Sequence, residues 1–270
     1  MIIKTIIITT TVYVIFTGLL YSFQRKITFH PSAERPSLHA VDIPQFKQFR
    51  VKTSDGLENL AWYAEPQNNL PTIIYFQGNA GNIADRAYKA RMFIEEGFGF
   101  LFVGYRGYNG DQGQPTEQGL YQDALAALSF LRQKNIKSAD WIFYGESLGT
   151  GVAVEMAKIQ AQSNTPVKAL ILEAPYTSLI DVANNRYPIV PANLLLKDRF
   201  ENNLKIKSIS TSLFIIHGDQ DKVIKQQFGK KLYEQANQPK SAFWVDGGAH
   251  SDLYQFSIYN KIADFIRAQE

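Results

Sequence analysis

The chain has 270 residues, 45% hydrophobic and 20% charged, with a formal net charge of +3 and no cysteine. That length suits one large core in one domain, and the small net charge, with no basic helix interleaved with aromatics, points away from nucleic acid. Without cysteine there is no disulfide, no thiolate metal site, no cysteine nucleophile and no lipoprotein cysteine; the four histidines, His30, His39, His217 and His250, stand at no metal-ligand spacing.

From Thr5 to Gln24 no charged side chain occurs. A helix of that length, at ~1.5 Å per residue, spans the ~30 Å hydrocarbon core of a bilayer. Lys4 precedes it and Arg25-Lys26 follow, so residues 1–26 are expected to be a single-pass membrane anchor. A cleaved secretory signal and a buried element of the core compete with that reading. No small-x-small cleavage site lies near Tyr21-Ser22-Phe23, which argues against the signal. More positive charge follows the segment (Arg25, Lys26, Arg35) than precedes it, a bias toward a cytoplasmic domain that leaves the side of the membrane undecided. Residues 27–44 contain Pro31, Pro36 and Pro44 and read as a linker. The protein from Ile27 onward is therefore expected to be soluble, folded and active.

Residues 45–270 are expected to form the main folded domain. Phe46 to Lys52 roughly alternates apolar and polar, as a half-buried strand does. Ser54-Asp55-Gly56 is a turn and Leu60 to Ala64 the returning strand, which together make an opening hairpin. After Pro71 the pattern changes. Thr72 to Phe76 is apolar throughout, as expected of a strand covered on both faces. Similar runs follow at 98–103, 141–144, 169–172, 212–216 and 242–245. Helical patterns at 83–96, 116–134, 151–162, 226–236 and 253–267 separate them. Such alternation predicts an α/β fold with a mostly parallel sheet and helices on both faces. The longest irregular stretch is Ala174 to Ile209.

One stretch organises the rest. Trp141 to Tyr144 runs into Gly145-Glu146-Ser147-Leu148-Gly149, and a helical pattern follows. Strand, sharp turn and helix place a serine at the tip. Gly145 and Gly149 remove side chains that such a turn would crush. Backbone N–H groups at the start of the helix can hold an oxyanion. This is the pattern of a nucleophile elbow. A serine hydroxyl needs a base, and the base needs an acid to hold its tautomer. In this strand order both should follow the serine at the ends of later strands. His250, behind Gly247-Gly248, is the candidate base. His30 and His39 precede the core, and His217 is expected to brace its loop. Asp219 and Asp221 lie together in the loop for the acid, and Asp181 is a more distant third. The oxyanion donors are expected from the N–H of Leu148 and from Asn79 in the loop Gln77-Gly78-Asn79-Ala80-Gly81-Asn82, where Asn82 also caps the next helix.

As a set, these stretches resemble the α/β-hydrolase superfamily. The matching segments are Phe76 to Asn82, Tyr105-Arg106-Gly107-Tyr108 with Pro115 to Tyr121, the Gly145–Gly149 elbow, Glu173 to Leu179, His217 to Asp221, and Gly248 to Leu253. They look most like its small membrane-associated branch, which includes mammalian depalmitoylases and bacterial serine-aminopeptidase-like hydrolases. The resemblance implies the α/β-hydrolase fold, a triad of Ser147, Asp221 and His250, and no cofactor. It singles out Asp221 over Asp219. Two positions depart from the branch: Gln77 stands where it usually has histidine, and Gly104 where it often has aspartate. Gln77 keeps the capacity to hydrogen-bond the loop. Lids in this superfamily are often inserted after the strand that ends here near Leu172. Ala174 to Ile209 is short, so a minimal lid is expected, with Pro188 to Pro191 and Leu194 to Leu196 as a wall for an acyl chain.

Three functions follow. The first is a serine hydrolase cleaving carboxylic esters or thioesters through an acyl-enzyme, its partners a lipid-like acyl substrate and the membrane. The second is a serine peptidase on the same machinery, which usually needs an extra domain or an acidic site for the substrate amine. The third is a membrane-tethered binding protein with a dead hydrolase fold, whose signature would be a missing triad member.

Overall fold

Five of the six continuous apolar runs become strands buried on both faces, and the sixth, Lys240–Val245, is a half-buried edge strand. In a computed structural model, which describes residues 1–269, one sheet contains β1 (Lys47–Lys52), β2 (Glu58–Ala64), β3 (Thr72–Phe76), β4 (Gly99–Val103), β5 (Trp141–Glu146), β6 (Ala169–Glu173), β7 (Ser212–Gly218) and β8 (Lys240–Val245). Their order is β1-β2-β4-β3-β5-β6-β7-β8. The hairpin partners β1 and β2 are antiparallel, and so are β2 and β4. From β4 to β8 every neighbouring pair is parallel. All the parallel strands therefore end at one edge, where the connecting loops leave a crevice.

Side chains alternate across the sheet with a period of two. Along β3, Ile74 and Phe76 join one core, and Ile73 and Tyr75 the other. The first core is covered by α3 (Glu117–Gln133), α4 (Gly149–Gln162) and α6 (Gln226–Gln235), through residues such as Leu120, Val152 and Phe228. The second is covered by α2 (Ala87–Glu95) and α7 (Ile258–Arg267), through Ala90, Phe93 and Ile262. Within the irregular stretch a short helix, α5 (Leu179–Arg186), and the turn Ala192–Leu195 form a small cap.

Two helical patterns are subdivided. The first opens as a 3-10 turn, Ile83–Arg86. Asn82 caps it, accepting from Ala84 N while its own N–H donates to Asp85 Oδ2, which makes a capping box. The last pattern is broken at Ser257, whose φ of 56° is left-handed and cannot continue a right-handed helix.

The N-terminal helix α1 spans Ile2–Thr28, a rise of ~40 Å. It is long and apolar enough to cross a membrane, and none of its most apolar window is buried in the protein. From Tyr13 onward it lies along the cap, and the two segments run in the same direction. Tyr13 OH donates to Ile189 O at 2.7 Å. Gln24 Nε2 donates to Leu195 O, and Lys197 N donates to Gln24 Oε1. Arg25 pairs with Asp198 at 2.8 Å. The residues expected as a linker are ordered: His30 and Pro31 pair in parallel with Ala80 and Gly81, and Phe29 and Ile43 are buried.

Candidate active site

Ser147 follows the last residue of β5 and precedes α4, with a left-handed φ of 51°. That conformation is strained for a residue with a Cβ and persists only where its surroundings hold it. Here Ser147 N donates to Glu173 O at 2.9 Å, and Thr150 Oγ1 donates to Ser147 O at 2.7 Å. The flanking glycines are required by space. A Cβ on Gly145 would sit 2.6 Å from Thr150 Cα, and one on Gly149 would sit 2.0 Å from Phe76 O.

Three strand ends converge on this serine. His250, beyond β8, has Nε2 3.0 Å from Ser147 Oγ and Nδ1 2.7 Å from Asp221 Oδ2. Asp221, beyond β7, is buried, and its Oδ1 accepts from Val223 N and Ile224 N at 2.8 and 2.9 Å. Burial alone would push its carboxyl up. Hydrogen bonds from His217 and His250 and from the Ile224 N–H outweigh that and hold it well below the usual carboxylate range. His217 is fully buried, with Nε2 2.7 Å from Ile224 O and 3.3 Å from Asp221 Oδ2, so it braces the acid loop. Asp219 is exposed and accepts from Gly247 N at 2.9 Å, linking the two loops without meeting the imidazole. Asp181 lies in the first turn of α5 and accepts from Thr177 Oγ1.

Leu148 and Asn79 border the same cavity as Ser147. Among the described residues, neither backbone N–H meets an acceptor. The rest of Asn79 is held firmly. Its carbonyl accepts from His30 N and from Tyr108 OH, both at 2.8 Å. Its side-chain Nδ2 donates to Thr28 O at 2.9 Å and lies 3.3 Å from His30 Nδ1. Gln77 does not make the bond expected of it. Its side chain is buried, and among the described residues neither amide atom has a partner; the loop is fastened from α1 and Tyr108.

Sequence reasoning missed a buried charge cluster under the elbow. Lys89 Nζ donates to Glu146 Oε2 at 2.8 Å and to both carboxylate oxygens of Glu173 at 2.9 Å. Arg86 reaches Glu146 at 3.1 Å, Tyr144 OH donates to Glu173 Oε2, and Tyr75 OH donates to Glu146. Burial raises the Glu146 carboxyl, but Lys89 and Arg86 outweigh it and leave the group well below its ordinary range. Burial likewise lowers the Lys89 ammonium, and the two glutamates outweigh it upward. The cluster joins α2 to the ends of β5 and β6, on either side of the Ser147 N–H. Its only trace in the sequence is the identity of Glu146 and Glu173 inside motifs noted for other reasons. Tyr108, in a motif without an assigned role, and His30, ahead of the core, carry no local sign of their contacts with Asn79.

A cavity of about 260 Å³ opens beside Ser147. The cap lines it with Leu179, Val182, Val190, Leu195 and Leu196, so part of the expected apolar wall faces inward. Ile189 and Leu194 of the same stretch are exposed, at 70% and 81%. The opposite wall comes from α1, through Leu20, Tyr21, Gln24, Ile27 and Thr28.

No family model matches the chain. The chain is 30% identical over 264 residues to the alpha/beta hydrolase domain-containing protein WAV2 of Arabidopsis thaliana, covering 88% of this chain and 84% of WAV2. This chain belongs to the α/β-hydrolase family. Two further relatives of this α/β-hydrolase are the uncharacterized protein Rv2307c of Mycobacterium tuberculosis, 34% identical over 237 residues, with 86% and 82% covered, and the zebrafish (Danio rerio) lysophosphatidylserine lipase ABHD12. The latter is 30% identical over 257 residues, 85% of this chain and 65% of its own length, so the hydrolase spans just under two thirds of ABHD12. Among solved structures, an alpha-beta hydrolase from Vibrio vulnificus superposes with a TM-score of 0.71 at 20% identity, with 84% and 83% covered. The Pyrococcus furiosus esterase Pf2001 superposes at 0.70 and 16%, with 88% and 98% covered. At those identities the likeness is one of fold.

Proposed function

We propose that this protein is a membrane-anchored serine hydrolase that cleaves carboxylic esters or thioesters with apolar acyl groups. The observation that carries this reading is the unbroken relay from Asp221 through His250 to Ser147 Oγ, at 2.7 and 3.0 Å, beside a cavity with a largely apolar wall. The lysophosphatidylserine lipase named among the relatives supports an ester of a lipid as substrate. The length and exposure of α1 support a single membrane span over residues 1–26, ahead of a catalytic domain in residues 45–270.

In the reaction, Ser147 Oγ attacks the acyl carbonyl as its proton passes to His250 Nε2. Asp221 holds the opposite N–H and steadies the imidazolium. The developing oxyanion takes hydrogen bonds from the N–H groups of Leu148 and Asn79, whose directions are set before substrate arrives. Collapse breaks the bond to the alcohol or thiol, which leaves with the proton from His250. Water then attacks the acyl-serine with His250 as base, and the free acid departs.

A fluorophosphonate probe should label the full-length protein at Ser147 and fail to label Ser147→Ala. Ser147→Ala and His250→Ala should each lower kcat on activated esters by about 10⁴-fold or more, since the three residues act as a unit. Labelling that survives in Ser147→Ala, or near-wild-type turnover in either variant, overturns the assignment. Faster cleavage of peptide amides than of any ester would favour the peptidase.

A further inference from the structure

The reading of the site as an ester hydrolase leaves open how a lipid-like substrate reaches it, and α1 supplies an answer. The pocket-lining residues Leu20, Tyr21, Gln24, Ile27 and Thr28 recur at the spacing of one helical face. The helix they belong to is long and apolar enough to cross a bilayer. The same face is fastened to the cap by the bonds of Gln24 to Leu195 and Lys197, and by Arg25 to Asp198. Tyr21 and Ile27 of that face remain exposed at 43% and 45%, little less than their neighbours Leu19 and Phe23 at 53% and 49%, so the cleft is open along the helix. On the cap, Ile189 and Leu194 are also exposed, and Ile189 meets the helix as far up as Tyr13. A helix in the membrane thus carries the cap, and the cavity between them, to the lipid.

We infer that the C-terminal half of α1 is a specificity-determining wall of an acyl-chain subsite, which a single fatty-acyl chain enters from the bilayer between the helix and the cap. From Leu20 to Thr28 the helix rises ~12 Å. Extended carbon chains, with C–C bonds of ~1.5 Å, advance about 1.25 Å per bond, so that wall matches about ten carbons. Leu20 and Ile27 set the accepted chain length, and the polar part of the ester stays outside the apolar cleft. The inference rests on the ester-hydrolase reading for its kinetics but not for its binding.

Both are tested on the full-length protein in phosphatidylcholine vesicles. Turnover of p-nitrophenyl acetate, octanoate, decanoate and hexadecanoate gives the chain-length profile. Leu20→Trp and Ile27→Trp should lower the decanoate-to-acetate ratio of kcat/KM by tenfold or more. Ile27→Ala should move the optimum to longer chains, and Leu19→Trp, one residue away and outside the cavity, should leave the ratio as in wild type. The chain has no cysteine, which permits a readout without turnover. In a Ser147→Ala background, decanoate should slow maleimide labelling of Leu20→Cys at least fivefold and leave Leu19→Cys untouched. Ester turnover with unaltered ratios and no protection at position 20 overturns the inference while leaving the hydrolase reading standing. Protection at position 20 in a protein that cleaves no ester supports the subsite and sinks the hydrolase reading.

Discussion

Asp221 and Asp219 are two residues apart and meet different partners. Asp221 faces His250 from a buried loop, whereas Asp219 is exposed and ties down Gly247. Asp221→Asn should therefore lower kcat by about 10⁴-fold through the wrong imidazole tautomer, and Asp219→Asn by less than about tenfold. The opposite ranking would move the role. Because the folded value of Asp221 is depressed, its charge adds stability above its unfolded value of ~3.9. That contribution is lost as pH falls through the lower folded value. Thermal melting temperatures should thus drop below about pH 4, less steeply in Asp221→Asn. Lys89 is the other residue with a sharp consequence. It is 3% exposed between two carboxylates. Lys89→Met leaves Glu146 and Glu173 buried without it, and breaking a buried pair in this way costs about 3–5 kcal/mol. Urea unfolding checks this; a loss below about 1 kcal/mol would mean the cluster is solvated.

At the scale of elements, the loop after β3 is shaped by segments far from it in the chain. The end of α1 and residues His30–Pro31 lie against one side, and Tyr108, from the loop after β4, bonds the Asn79 carbonyl. The Asn79 N–H belongs to the peptide just before that fixed carbonyl, so its direction depends on these contacts. Tyr108→Phe removes one neutral hydrogen bond, worth ~0.5–1.5 kcal/mol. If the bond serves the transition state, kcat should fall about two- to tenfold with KM nearly unchanged. A rise in KM at constant kcat would mean that Tyr108 shapes the pocket instead.

For the whole molecule, both cores are built mainly from the sheet and the elements that follow it, with Phe29, Ile43 and Phe46 added from just before it, and α1 contributes no hydrophobic side chain to either. Removal of residues 1–26 should leave a soluble, folded protein. It takes away the half-exposed Arg25–Asp198 pair, worth ~0–1 kcal/mol, and the Gln24 hydrogen bonds, ~0.5–1.5 kcal/mol each. With the Tyr13–Ile189 hydrogen bond, of the same worth, stability should fall by about 2–5 kcal/mol in total. Circular dichroism melts in the absence of detergent measure this, and aggregation or collapse of the sheet would mean that α1 is structural. The same deletion opens one side of the acyl cleft, so preference among chain lengths should flatten.

Local patterns in the sequence determined the elements. Apolar runs bounded by turns became the parallel strands, because a strand covered on both faces has no polar face to show. Glycine on either side of Ser147 marked the elbow, because the backbone there packs too closely for a Cβ. The order of serine, aspartates and histidine along the chain assigned each to a strand end. What the local patterns could not reach were distances between residues far apart in the chain. Asp219 and Asp221 are equivalent to a local reading, and only the packing of β7 against β8 brings one of them within 2.7 Å of His250. Lys89 looks like a solvent-facing helical lysine until α2 is laid on the sheet between two glutamates. The N-terminal helix is legible as an apolar span of the right length. That its last turns also wall the cavity was decided by the tertiary structure, through polar bonds between Gln24, Arg25 and a cap some 170 residues later in the chain.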